Sequence, residues 1–128
     1  PRQLKLPAVG TWDTGPFDNH AARELLASLR DGSFDLKSFQ QSCSTEPIDS
    51  DDAETMIALG ALLKLKADAL PEGIEREDLA PLYTPQSKAW LRRRINSAMR
   101  PETSSVYALW ETTGELEEWL RTAQNSLP

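Results

Sequence analysis

The amino-acid sequence predicts an all-α fold, a compact bundle of about four to five helices with an N-terminal loop packed on it. Three observations lead to that reading. Apolar residues recur at i, i+3, i+4 and i+7 in several separate runs, the spacing of one helical face. The apolar–polar alternation of a half-buried strand occurs nowhere in the chain. Cap residues and breakers such as Asp31-Gly32, Thr84-Pro85 and Pro101 bracket the runs. The 128 residues are the length of one domain. A chain of that size buries about two-thirds of its unfolded surface, enough to fold without a metal or a disulfide. It divides into an N-terminal extension, residues 1–9, and a single helical domain, residues 10–128.

Residues 10–19 (GTWDTGPFDN) are dense in turn formers, with Trp12 and Phe17 as bulky anchors that dock on the helices. Asp18 is expected to cap the first helix, with Phe17 before it in the position of a hydrophobic staple. That helix spans about Asn19 to Arg30, because Ala22, Leu25, Leu26 and Leu29 form one stripe and Asp31-Gly32 ends it. A short second helix from Asp35 to about Ser42 turns Leu36 and Phe39 inward. The third, Ser50 to about Asp68, is apolar on most sides and belongs at the centre of the bundle. Met56, Gly60, Leu63, Ala67 and Leu70 make its main stripe, and Gly60 there implies close approach of another backbone. Asp51, Asp52 and Glu54 in its first turn suit the helix dipole.

Pro71-Glu72-Gly73 interrupts the chain, and residues 74–83 hold a single turn around Asp78-Leu79-Ala80. Thr84 and Pro85, a cap and a first-turn proline, open a fourth helix that runs to about Met99. In the last segment Val106, Leu109, Thr113, Leu116, Leu120, Ala123 and Leu127 alternate by three and four throughout. That pattern predicts one helix from Ser105 to Leu127, roughly 35 Å long, with a break at Thr113-Gly114 as the alternative. Trp110 and Trp119 flank the stripe and are expected to cover the edge of the core.

Composition excludes several functions. A formal charge of −6 disfavours nucleic acid, anionic membrane surfaces and acidic partners, which require clustered Lys and Arg, and favours a protein partner with a basic surface. No run approaches a membrane span or a signal peptide. The single cysteine, Cys43, rules out an intrachain disulfide and suits a reducing cytoplasm. Oligomeric state is not written in the sequence.

Few residues have the neighbours that chemistry needs. His20, the only histidine, stands near Asp13 and Asp18, but no second or third metal ligand offers itself. Asp49-Ser50-Asp51-Asp52 begins like a calcium loop, yet Glu54 occupies the position that requires glycine and Gly60 the one that requires glutamate. Helix capping explains those residues instead. Arg92, Arg93 and Arg94 fan across about 200° of a helix, so they read as a solvated face paired with acids of neighbouring helices. Cys43 has no histidine nearby to activate it. Glu111, Glu115, Glu117 and Glu118 make an acidic edge on the last helix, either plain solvated surface or a docking face. No cofactor and no metal is expected.

The opening motif, Gly10-Thr11-Trp12-Asp13-Thr14-Gly15-Pro16-Phe17-Asp18-Asn19, resembles the start of the bacterial domain-of-unknown-function family 4259. Ala67-Asp68-Ala69-Leu70-Pro71, Ser105 to Trp110 and Glu118-Trp119-Leu120 are also similar, so the resemblance covers about residues 10–127. It implies no activity. Val9 stands where members of that family carry the initiator methionine, so residues 1–8 are expected to precede the native start.

Two functional expectations follow. The first is a non-catalytic interaction or regulatory module, of the immunity kind among others, that meets its partner through an acidic surface. The second is an enzyme or small-ligand binder with a polar site at the loop, where Trp12, Asp13, Asp18, Asn19 and His20 are the candidate binding residues.

Overall fold

A computed structural model describes residue 17 and residues 19–43 and 48–128. The predicted loop anchor Trp12, the predicted cap Asp18 and the extension 1–9 lie outside the described residues. The described chain is helical: α1 (His20–Asp31), α2 (Leu36–Ser42), α3 (Ser50–Lys64), α4 (Pro85–Ala98), α5 (Ser105–Thr113) and α6 (Leu116–Asn125), with 3₁₀ segments at Ala67–Ala69 and Arg76–Tyr83. Among the described residues the nearest thing to a sheet is an isolated parallel bridge between Ile48 and Ser104, where Ile48 N–H donates to Thr103 O at 2.8 Å. Among them, too, no helix is long and apolar enough to cross a membrane.

The central position expected for the third helix is the one observed. α3 packs against α1, α4, α5, α6 and the 3₁₀ segment Arg76–Tyr83. Ala53, Met56, Ile57, Ala58, Leu59 and Leu62 are all buried on it, so nearly its whole circumference lies in the core. It ends at Lys64, four residues short of the predicted end. Leu65 leaves the helix with extended backbone (ψ 147°). The chain then turns, so that Leu65 and Leu70 fold back and pack half-buried on the core.

Gly60 is buried at the closest approach of two elements. A Cβ built there would stand 2.1 Å from the backbone oxygen of Ser126, at the C-terminal end of α6. The close backbone contact expected from the sequence is therefore present, and its partner is the last helix.

The single long C-terminal helix is not formed. Gly114 adopts φ +80°, the left-handed conformation that closes α5, and α6 starts afresh after Glu115. The reason is the tryptophans. On one straight helix their nine-residue separation would place them about 13 Å apart along the axis. With the break, α6 folds back on α5, the two rings stack with centroids 6.5 Å apart, and both are buried. The continuous stripe of the sequence thus serves two helices.

Smaller corrections concern caps. Asn19, one residue later than the predicted Asp18, is the N-cap of α1, and its Oδ1 accepts from Ala22 N–H at 2.7 Å. Asn19 is buried, and a neutral amide is cheaper to bury there than a carboxylate. Phe17 packs half-buried against the core, two residues before the cap. Asp35 caps α2 from outside the helix rather than opening it. Leu36 and Phe39 point inward as expected, Phe39 meeting Trp90 of α4 edge-on at 6.0 Å. The turn predicted around residues 78–80 is extended, a 3₁₀ segment of eight residues.

Candidate functional site

The N-terminal ends of α1 and α3 lie side by side, because Ala22, Leu25, Leu26 and Leu29 press the first helix onto the third. Both ends are capped by side chains. Asn19 serves α1, and Asp49 Oδ1 accepts from Asp52 N–H at 2.8 Å on α3. Between them opens a cleft of about 150 Å³ lined by His20, Ala21, Glu24, Asp51, Asp52 and Thr55. Glu24 comes one turn after His20, and its Oε1 lies 3.4 Å from His20 Nε2. Both side chains are largely exposed, which limits that contact to a few tenths of a kcal/mol.

Under the cleft the surroundings become less polar. Burial, and then repulsion from Asp49, hold the Asp52 carboxyl above its ordinary range, while a hydrogen bond with the Cys43 thiol draws it back. The thiol itself is pushed up to about 11, first by burial and then by the Asp52 charge. At neutral pH it is a protonated donor and not a nucleophile. Arg94 reaches from α4 to donate to the Cys43 carbonyl oxygen. Among the described residues no three His, Cys, Asp or Glu side chains converge to hold a metal ion.

Two of the five predicted site residues, Asn19 and His20, are among the described residues. Trp12, Asp13 and Asp18 lie outside the described residues. Asn19 is committed to its cap. Of the described two, His20 is the one that lines the cleft. The sequence reading missed Glu24, Asp51 and Asp52 as its companions, since the two aspartates were explained by the dipole of α3 and nothing local signals that α1 and α3 run alongside one another.

The other charged groups fall only partly as expected. The acidic edge of the C-terminal segment is divided by the break at Gly114, and Glu115 is buried there while Glu111 and Glu117 stay exposed. The edge is therefore two separate acidic stretches, not one strip. Of the arginine triplet, Arg92 and Arg93 are solvent-exposed as expected and Arg94 is half-buried. Arg92 donates through Nε and Nη2 to the backbone oxygen of Pro128 at 3.1 and 3.0 Å, Arg94 holds Cys43, and Arg93 is exposed. These two arginines tie helix ends together.

Comparison with known proteins adds one result. Residues 10–122 match the family model described as Domain of unknown function (DUF4259). The chain belongs to the DUF4259 family. No curated protein and no solved structure matches it. In DUF4259 terms the match takes in every helix up to most of α6, including both walls of the cleft.

Proposed function

We propose that this DUF4259 domain is a non-catalytic interaction module that receives a basic side chain of a protein partner in the cleft between α1 and α3. One observation carries the reading: a cleft of about 150 Å³ with three carboxylates, Glu24, Asp51 and Asp52, on its walls. Small-molecule sites usually enclose about 300–1,000 Å³, so this one suits a single Lys or Arg side chain. A net charge of −6 adds long-range attraction for such a partner. The high proton affinity of Cys43 supports a binding role over a catalytic one. The same proposal places the protein in a bacterial cytoplasm, where a lone, buried, protonated thiol is chemically at ease.

The test is titration of the ¹⁵N-labelled protein with a short Lys-rich peptide. The expected outcome is saturable binding with the largest amide shifts at Ala21, Glu24, Asp51 and Thr55. Glu24→Gln with Asp51→Asn should weaken it about tenfold, or 1.4 kcal/mol. An equal loss from the distant pair Glu72→Gln and Glu75→Gln would reduce the effect to overall charge and sink the reading.

A further inference from the structure

A second surface carries the opposite sign. An open groove of about 550 Å³ runs between the end of α3, the 3₁₀ segment Arg76–Tyr83 and the start of α4, lined by Leu63, Arg76, Glu77, Ala80, Tyr83 and Lys88. We propose that it docks an acidic peptide segment of a protein partner, with carboxylates on Arg76 and Lys88 and an adjacent apolar side chain on Leu63, Ala80 and the Tyr83 ring.

Local structure prepares the two cations. The 3₁₀ segment opens with a capping box, in which the Glu75 and Asp78 side chains each accept from the other residue's backbone N–H. Two of the three carboxylates flanking Arg76 in sequence, Glu75 and Asp78, are thereby occupied. Thr84 caps α4, and its carbonyl accepts from Lys88 N–H at 3.0 Å, which sets Lys88 one turn into that helix. Tyr83 lies between them. The Arg76 guanidinium carbon is 5.8 Å, and the Lys88 ammonium 5.5 Å, from the centroid of its ring. A cation resting on a ring gives up part of its side-chain freedom in advance, yet leaves its N–H groups free to donate to a carboxylate. Among the described residues neither cation forms an ion pair, and the Tyr83 hydroxyl, shielded from solvent, has no hydrogen-bond partner. Glu77 is the one carboxylate in the groove, against two cations.

Charge complementarity identifies the occupant. On a chain of net charge −6, this groove pairs two preorganised cations with an apolar floor. Its openness on one side suits an extended segment better than a small molecule, which would leave most of its own surface wet. The proposal is independent of the cleft between α1 and α3, which lies at the opposite end of α3, has no lining residue in common with the groove and takes the opposite charge. Failure of either leaves the other standing.

The experiment uses the full chain, ¹⁵N-labelled, and a peptide of alternating Glu and Leu, with an alternating Lys and Leu peptide as control. Saturable binding of the acidic peptide is expected, with shifts centred on Leu63, Ala80, Tyr83 and Lys88 and an affinity that falls as salt rises. Arg76→Gln with Lys88→Gln should weaken it about tenfold or more, and Lys88→Arg should retain it. Both positions are on the surface, so matched melting curves will show that the variants fold. Shifts centred elsewhere, or unchanged affinity in the double variant, would overturn the proposal. So would N-acetylglutamate binding as tightly as the peptide, since the groove would then be a small-acid site.

Discussion

Replacing Gly60 by alanine tests the packing that places every other element. In an ordinary helix interior the change gains about 1 kcal/mol of helix propensity. Here the new methyl would stand 2.1 Å from the Ser126 backbone oxygen and 3.1 Å from Ile95 Cδ1. Non-bonded carbon and oxygen settle near 3.3 Å, so the two backbones must part by about 1 Å. The isoleucine methyl can swing aside. The carbonyl cannot, because it belongs to the end of α6, where Ser126 N–H donates to Thr122 O and Ala123 O and the hydroxyl donates to Thr122 O. The helix must move as a unit, loosening Trp119 and Ala123, both buried against the core. Overpacking of that kind costs about 1–3 kcal/mol, with the rigid neighbour putting it at the upper end. After the propensity gain, Gly60→Ala should destabilise by about 2 kcal/mol, a drop of several degrees in Tm. Urea unfolding is the assay, with the midpoint lowered and the slope unchanged. Gly114→Ala is the control, because no atom lies within 4 Å of its added Cβ and only the left-handed backbone, about 1 kcal/mol, opposes it. Removing residues 126–128 in the Gly60→Ala background should relieve the clash, a favourable coupling visible in a double-mutant cycle. A Gly60→Ala protein as stable as the parent, or more so, would refute the close approach of α3 and α6.

Two further outcomes can be checked on the same preparations. Asn19→Ala removes the buried cap of α1 and should cost about 1–2 kcal/mol in urea unfolding, whereas His20→Ala, on the exposed side, should change stability by less than about 0.5 kcal/mol. The Cys43 thiol is raised in the folded state from an ordinary 9.0 to about 11, so its contribution is complete below pH 9 and disappears as pH climbs towards 11. Unfolding midpoints measured across that interval should fall more steeply for the parent than for Cys43→Ala, and a disulfide reagent should label the native thiol only slowly.

Much of the fold was legible in the residues taken one segment at a time. The stripe of Ala22, Leu25, Leu26 and Leu29, the Thr84-Pro85 start of α4 and the central rank of α3 all follow from local spacing and capping chemistry, which depend on neighbours in the chain. Gly60 could be recognised as a contact point, since a glycine on an apolar stripe has a steric meaning of its own. Its partner could not, because Ser126 is brought there only by the packing of α6. The C-terminal segment shows the same boundary. Its apolar pattern fits one helix or two equally well, and the choice was made by Trp110 and Trp119, which stack and leave water only if the chain reverses at Gly114.

The candidate sites lie further along that scale. His20 was visible because it is the only histidine. Glu24, Asp51 and Asp52 each had a sufficient local explanation, and nothing in their spacing joins α1 to α3. Arg76 and Lys88 meet only because Tyr83 sits between a 3₁₀ segment and a helix. The sequence by itself determined the all-helical class, most helix starts and the sign of the net charge, all properties of near neighbours or of sums. The tertiary structure decided where the last helix breaks, that Glu54 and Glu115 are buried, and which charges share a cleft. Burial and Coulomb interactions act through space, between residues whose separation along the chain does not encode their distance.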